Sequence, residues 1–275
     1  MSKYDVELVG KIGSMALIRP HERDMDYNVF ARIGRALRPG MIWVSSGATE
    51  IGRLDYLKRG NRQLAGETDE DKADYSAQGQ AVLMETYRRY VPPHYSLRQV
   101  LVEHTHFNNP EKCDFISRLL LRAVGQNAIP IINYNDAVSF RENRLLELDN
   151  LRDHGEEVVE CIDNDETAAT IASLVHARVL LILTSVEGIY RDPNDKSTRV
   201  KSVTGSTAAE LIQGVEELQA CCRGASREGA NGAWAKLEFI KKPLSEGTTV
   251  FIANAKYPIE DILKCEAPST KLSIG

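Results

Sequence analysis

An α/β fold with a mainly parallel, doubly wound sheet is predicted by three observations. Strand-like and helix-like segments alternate along all 275 residues, with no internal repeat and no low-complexity linker. Residues 179–183 are apolar at every position, as a central parallel strand needs when helices cover both its faces. Directly before them, Ala168, Ala169, Ile171, Ala172 and Val175 fall at helical spacing behind the acidic turn Asp163, Asn164, Asp165, whose side chains can cap the helix.

The other elements follow in chain order. An extended start gives a strand at residues 7–10, a helical period spans 28–37, and an apolar strand lies at 41–45. Residues 54–74 are polar, with Lys58, Arg59 and Arg62 followed by Asp69, Glu70, Asp71 and Lys72; they read as a mobile loop or lid, or simply as solvated charge. A helix at 77–90, a strand at 100–103, a helix at 114–124 and a strand at 130–133 precede the acidic turn. Near the end, a helix over 233–242 is broken by Pro243 and Gly247, and residues 248–253 form a last strand. No sizeable accessory domain is expected after it.

Composition narrows the function classes. A net charge of -5 with 27% charged residues gives no global attraction for nucleic acid or anionic membrane, so any phosphate binding must be local. The start lacks a signal-peptide pattern and no apolar run reaches membrane-spanning length, so a soluble protein is expected. Five scattered cysteines, Cys113, Cys161, Cys221, Cys222 and Cys265, lack metal-ligand spacing and suit a reducing cytoplasm as free thiols.

Several turns carry candidate chemistry. After the first strand, Lys11, Gly13 and Ser14 can bring a positive charge and backbone amides to an anion, or simply end the strand with a snorkelling lysine. Ser46, Gly47 and Ala48 join the second strand to a helix start where a carboxylate or phosphate can sit. Asn135 and Asp136 stand beyond the strand at 130–133, as a site for an ammonium or as an Asx turn. The cluster Asp163, Asn164 and Asp165 can converge on the same crevice as Asp136, and three carboxylates so close need cationic neighbours, which lysines would supply. Thr184 and Ser185 lie at the carboxyl end of a parallel strand, where open α/β sheets bind ligands. Gly229, Ala230, Asn231 and Gly232 open a helix carrying Lys236. Neither a P-loop nor a Gly-x-Gly-x-x-Gly fingerprint occurs, and His104 and His106, alternating on an expected strand end, read as structural or solvent-facing with no metal site.

Taken in order, these segments resemble the amino acid kinase family, most of all its glutamate 5-kinase branch, over nearly the whole chain. The resemblance implies an open three-layer αβα sandwich with a mainly parallel central sheet, as a single domain over 1–275. Its acceptor-binding part would be about residues 1–160 and its nucleotide-binding part about 161–275. It implies ATP-dependent phosphorylation of a carboxylate to an acyl phosphate, with magnesium (Mg2+) carried by the nucleotide phosphates. Lys11, Lys236 and Asp165 would be catalytic, the lysines neutralising phosphoryl charge and Asp165 holding them. Ser46, Gly47, Ala48, Asp136 and Asn164 would bind the amino acid. Lys11, Gly13, Ser14, Thr184, Ser185, Gly229, Ala230, Asn231, Gly232 and Lys236 would border the nucleotide.

Family members are usually oligomers, so a homo-oligomer is expected. Five positions depart from the family pattern: Tyr134 replaces an acidic residue, Ser185 an aspartate, Ile162 a glycine, and Ala230 with Asn231 part of a fuller glycine loop. The 54–74 connection is also longer than usual. The RNA-binding-like C-terminal domain of many bacterial members is not expected. Two other functions fit the same pattern: a kinase with another acceptor, such as a nucleoside monophosphate, and a degenerate kinase that binds nucleotide or amino acid for regulation.

Overall fold

A computed structural model describes residues 4–64, 68–139, 141–153, 158–161, 163–222 and 232–275. The strands are β1 (Val6–Ile12), β2 (Ile18–Arg19), β3 (Asp24–Met25), β4 (Met41–Ser45), β5 (Ser96–Val102), β6 (Ala128–Tyr134), β7 (Ala177–Thr184), β8 (Ser202–Gly205), β9 (Thr249–Asn254) and β10 (Ser269–Ile274). The helices are α1 (Tyr27–Ala36), α2 (Ala48–Gly60), α3 (Asp69–Tyr90), α4 (His104–Asn108), α5 (Pro110–Gly125), α6 (Arg141–Asp153), α7 (Asn164–Leu174), α8 (Ala208–Cys221), α9 (Gly232–Phe239), α10 (Lys241–Ser245) and α11 (Ile259–Leu263). The ladders β1–β7, β7–β9, β10–β8 and β5–β6 are parallel, whereas β9–β10 and the small β2–β3 pair are antiparallel. The α/β class with a mainly parallel sheet flanked by helices is therefore as expected.

The chain divides into two compact units. The first comprises Met1–Ile12, Gly40–Val44 and Asp165–Gly275, the second Gly13–Pro39 and Ser45–Asn164.

In the first unit the strand order is β4-β1-β7-β9-β10-β8. Leu180, Leu181 and Ile182 of β7 have no solvent exposure, which is why residues 179–183 show no polar alternation. Ala168, Ile171 and Ala172 bury one side of α7, and Leu211, Val215 and Leu218 do the same for α8 at helical spacing. Gly10 has a steric reason: a Cβ there would lie 2.0 Å from Cζ3 of Trp43, whose ring occupies the space over β1.

The end of the chain corrects the sequence reading. The helix at 233–242 stops at Phe239, and Pro243 belongs to the short α10 rather than ending a helix. Proline is tolerated in a first turn, where its missing N–H leaves no intrahelical bond unmade. Gly247, at φ +95°, is the true terminator: Thr248 N–H reaches Pro243 O at 2.9 Å and Gly247 N–H reaches Leu244 O at 3.0 Å, the paired bonds of a Schellman cap. The strand at β9 is also not the last, since β10 follows it.

In the second unit β5 and β6 pair from Ser96 with Ala128 to Val102 with Tyr134. The Asp26 carboxylate caps α1 by accepting from the amides of Asn28 and Val29. Much of 54–74 is helix rather than loop: 54–60 complete α2 and 69–74 begin α3, which Thr68 and Asp71 start with a capping box, and 65–67 lie outside the described residues. The two helices meet through glycines. A Cβ on Gly52 would stand 1.8 Å from Tyr75 O, and one on Gly79 1.8 Å from Ala48 O. The charged sequence there is the solvated face of two helices whose backbones approach too closely for side chains.

Candidate active site

In the first unit, one carboxylate organises the charge. Lys11 comes from the carboxyl end of β1 and Asp165 from the first turn of α7, where the helix dipole also favours an anion. Lys11 Nζ lies 2.6 Å from Asp165 Oδ1, and Lys236 Nζ on α9 lies 2.6 Å from Oδ2. Asp165 is 1% exposed. Burial alone would push its carboxyl up, but the ammonium groups of Lys11 and Lys236 outweigh that and hold it below the ordinary aspartate value. Two cations on one anion leave one excess positive charge, suited to developing phosphoryl charge.

The turn after β7 is also ordered. Val186 N–H donates to Thr184 Oγ1 at 2.9 Å, and Ser185 O accepts from Asn254 Nδ2 at 2.7 Å. Glu187, held by Lys256 Nζ at 2.6 Å and Tyr257 O–H at 2.8 Å, is kept ionised below its usual value by those bonds. Gly188, at φ +142°, passes so close to β10 that a Cβ would sit 2.5 Å from Thr270 Oγ1. Gly232 starts α9 at φ +56°. The expected nucleotide residues Gly229, Ala230 and Asn231 lie outside the described residues, as does Ile162.

The second unit builds a neutral cluster. Asn164 Nδ2 donates to Ser46 Oγ and to Asn133 Oδ1, both at 3.0 Å, and Asn133 Nδ2 donates to Gln80 Oε1 at 2.9 Å. Gly47 supplies the left-handed residue, φ +104°, that starts α2 beside the buried Ala48. Gly13 is extended, φ -77°, and caps a short 3-10 turn, Ser14–Ala16.

Asp136 follows β6 in a turn and keeps solvent contact. Protein packed around its carboxyl desolvates it and pushes its pKa up to about 6, with Arg144 opposing the shift. Close by in sequence, Tyr134 is held by Ser139 Oγ at 3.0 Å and has the Arg144 guanidinium 4.7 Å over its ring. Desolvation pushes its phenol up, against Ser139 and Arg144. His104 is not on a strand end but opens α4; it is buried, with Nε2 2.8 Å from Glu147 Oε2 and Nδ1 3.3 Å from Tyr134 Oη.

Of the expected residues, Lys11, Asp165 and Lys236 are brought together, and so are Ser46 and Asn164. Sequence reasoning missed Gln80, the acceptor role of Asn133, and the Arg144 and Glu147 pair on α6. Gln80 had a signal: it falls on the same helical face as Leu83 and Tyr87, so a polar residue is buried among apolar ones. Among the described residues no group of three or more His, Cys, Asp or Glu side chains can hold a metal. Both Asp165 oxygens face ammonium groups, so these residues do not fit a protein-held magnesium site.

A carboxylate clamped by two lysines beside parallel strands, on a chain with no P-loop sequence, places the protein in the class of ATP-dependent small-molecule kinases with an α/β fold. The pattern of the amino acid kinase family matches residues 7–254, and the chain belongs to that family. It is 28% identical to the glutamate 5-kinase of Clostridium perfringens over 263 residues, covering 92% of this chain and 87% of that enzyme. It is also 28% identical to the glutamate 5-kinase of Geobacillus thermodenitrificans, covering 97% of this chain but 67% of that enzyme. Among solved structures, a carbamate kinase from Giardia lamblia bound to AMP-PNP aligns over all of both chains with a TM-score of 0.59 at 13% identity, a likeness of fold.

Proposed function

We propose that the protein uses ATP to phosphorylate the side-chain carboxylate of glutamate or a related amino acid, giving an acyl phosphate and ADP. The observation that carries this reading is the pair of ammonium groups held at 2.6 Å on the buried Asp165. The similarity to glutamate 5-kinases supports the choice of acceptor.

In this reading a carboxylate oxygen of the acceptor attacks the γ-phosphorus while the bond to the ADP oxygen breaks. The nucleophile is already ionised at neutral pH, so no general base is required. Lys11 and Lys236 meet the charge on the transferring group, each contributing about 3 kcal/mol of transition-state stabilisation. Asp165 keeps both lysines in place. Ser46, Gly47, Ala48, Asn164 and Asp136 bind the amino acid, with Asp136 as the anionic partner of its ammonium. Gly13, Ser14, Thr184, Ser185 and the turn from Gly229 through Ala230 and Asn231 to Gly232 border the nucleotide, which brings its own magnesium. Tyr134, under the Arg144 guanidinium, is the reason the acceptor is given as glutamate or a relative. We further place the enzyme in the cytoplasm, as a homo-oligomer, in proline-type amino-acid biosynthesis.

The test is ADP release with ATP and magnesium across amino acids and nucleoside monophosphates, with hydroxylamine present to trap acyl phosphate. Glutamate-dependent release with a hydroxamate product is expected. Release driven by a nucleoside monophosphate would replace the acceptor, and nucleotide binding without turnover would leave a regulatory protein.

A further inference from the structure

The neutral cluster of the second unit has a polarity fixed from the backbone. The Tyr134 amide N–H donates to Asn133 Oδ1 at 2.9 Å, and a main-chain N–H cannot exchange roles as a side-chain amide can. Asn133 must therefore point its Nδ2 away, toward Gln80 Oε1 at 2.9 Å. The same Oδ1 accepts from Asn164 Nδ2 at 3.0 Å, which in turn fixes the Asn164 amide so that Nδ2 also donates to Ser46 Oγ at 3.0 Å. Asn133 and Gln80 are 1% and 8% exposed, so water is not free to replace these bonds.

The chain of bonds has a visible cost. It leaves Gln80 Nε2 and Asn164 Oδ1 buried and without a hydrogen-bond partner among the described residues. Turning Gln80 over would set donor against donor at Asn133 Nδ2, and turning Asn164 over would set acceptor against acceptor at Asn133 Oδ1. What the arrangement achieves lies at Ser46: its oxygen accepts from Asn164, and its own O–H remains to donate.

We propose that Gln80 and Asn133 are positioning residues that preset Ser46 as a hydrogen-bond donor, so that the acceptor site selects a ligand bringing a carboxylate oxygen to Ser46. This rests on the kinase reading and adds the residues that set its selectivity. Gln80 is the far anchor, since without an oxygen there Asn133 Nδ2 becomes a buried, unpaired donor and the amide loses its fixed orientation.

The experiment is calorimetric binding of L-glutamate, glutamine and isoglutamine to the full chain, with each variant first shown folded by its melting curve. In the unaltered protein one of the two amides should bind roughly tenfold or more weakly than glutamate, because a carboxylate suits a donor hydroxyl and a carboxamide suits it less. Gln80→Met keeps length but removes the oxygen, and should bring that ratio close to one. Gln80→Glu keeps an oxygen facing Asn133 Nδ2 and should restore it. Asn164→Asp turns the donor into an acceptor, draws the Ser46 O–H inward, and should abolish the preference. A ratio unchanged in Gln80→Met, or Gln80→Glu behaving as Gln80→Met does, overturns the proposal while leaving the kinase reading intact. Failure of all three ligands to bind the folded, unaltered protein overturns both.

Discussion

Asp165 in the first unit and Asp136 in the second are both aspartates placed just beyond parallel strands or at a helix start, yet their surroundings push them in opposite directions. Asp165 is almost completely buried and still sits below the ordinary aspartate pKa, because two ammonium groups touch its two oxygens. Asp136 keeps solvent contact and is pushed up to about 6, because desolvation acts on it with Arg144 as the opposing charge. Burial by itself does not decide whether a carboxylate is charged; a partner within contact distance does. The first unit thus holds a charge cluster on Asp165, whereas the second sets a neutral amide cluster apart from Asp136, whose carboxyl is pushed up to about 6.

If that contrast is right, damage to the first unit should strike turnover and damage to the second should strike acceptor binding. Asp165→Ala should have the largest effect. It leaves Lys11 as a buried charge without its partner, lowering stability by about 3–5 kcal/mol. Turnover should fall by roughly a thousandfold or more, as for loss of a group that orders several catalytic donors. Thermal melting and steady-state kinetics together check this; a stable, active variant would break the charge-cluster account.

Lys236→Ala comes next. Its side chain is more exposed than that of Lys11, so stability should change little while kcat falls by about a hundredfold to a thousandfold with the acceptor KM nearly unchanged. A rise in acceptor KM alone would move Lys236 from transfer to binding.

Gly79→Ala sharpens the other half of the comparison. The added methyl meets the Ala48 carbonyl, so α2 and α3 must separate, costing about 1–3 kcal/mol in denaturant unfolding. Ala48 follows Ser46 and Gly47 directly, so the acceptor KM should rise with it while the ATP KM holds.

The smallest effect is a pH dependence. Ionised Asp136 is the form that holds an ammonium, so kcat/KM for the amino acid should rise with pH and level off above about 6. Asp136→Asn should flatten that limb and lower the plateau. Asp165, held below the usual aspartate value, should add no limb in the same range. A limb that survives in Asp136→Asn assigns it to another group.

The sequence showed the core of the first unit because residues 41–44 of β4 and 179–183 of β7 are apolar on both faces, a pattern that needs no tertiary knowledge. It hid β10, where Ser269, Thr270 and Ser273 are buried through hydrogen bonds such as Thr270 Oγ1 to Val200 O. The loop read at 54–74 missed the helical residues 54–60 and 69–74, because charge density reports which face is wet, not whether the backbone is helical. At the site, lysines and aspartates in a known order were legible, since such chemistry draws on few residue types. Gln80 and Asn133 were not, because an amide acquires its role only from the orientation its neighbours impose.

The central claim is that a carboxylate of the acceptor becomes bonded to phosphorus. Glutamate carrying heavy oxygen in its side-chain carboxylate, incubated with ATP, magnesium and hydroxylamine, follows that bond directly. Hydroxylamine attacks the acyl carbon, so the phosphate released should carry a heavy oxygen from the acceptor. Glutamate-dependent ADP formation with unlabelled phosphate would contradict the account, because transfer would then have gone to water or to another group.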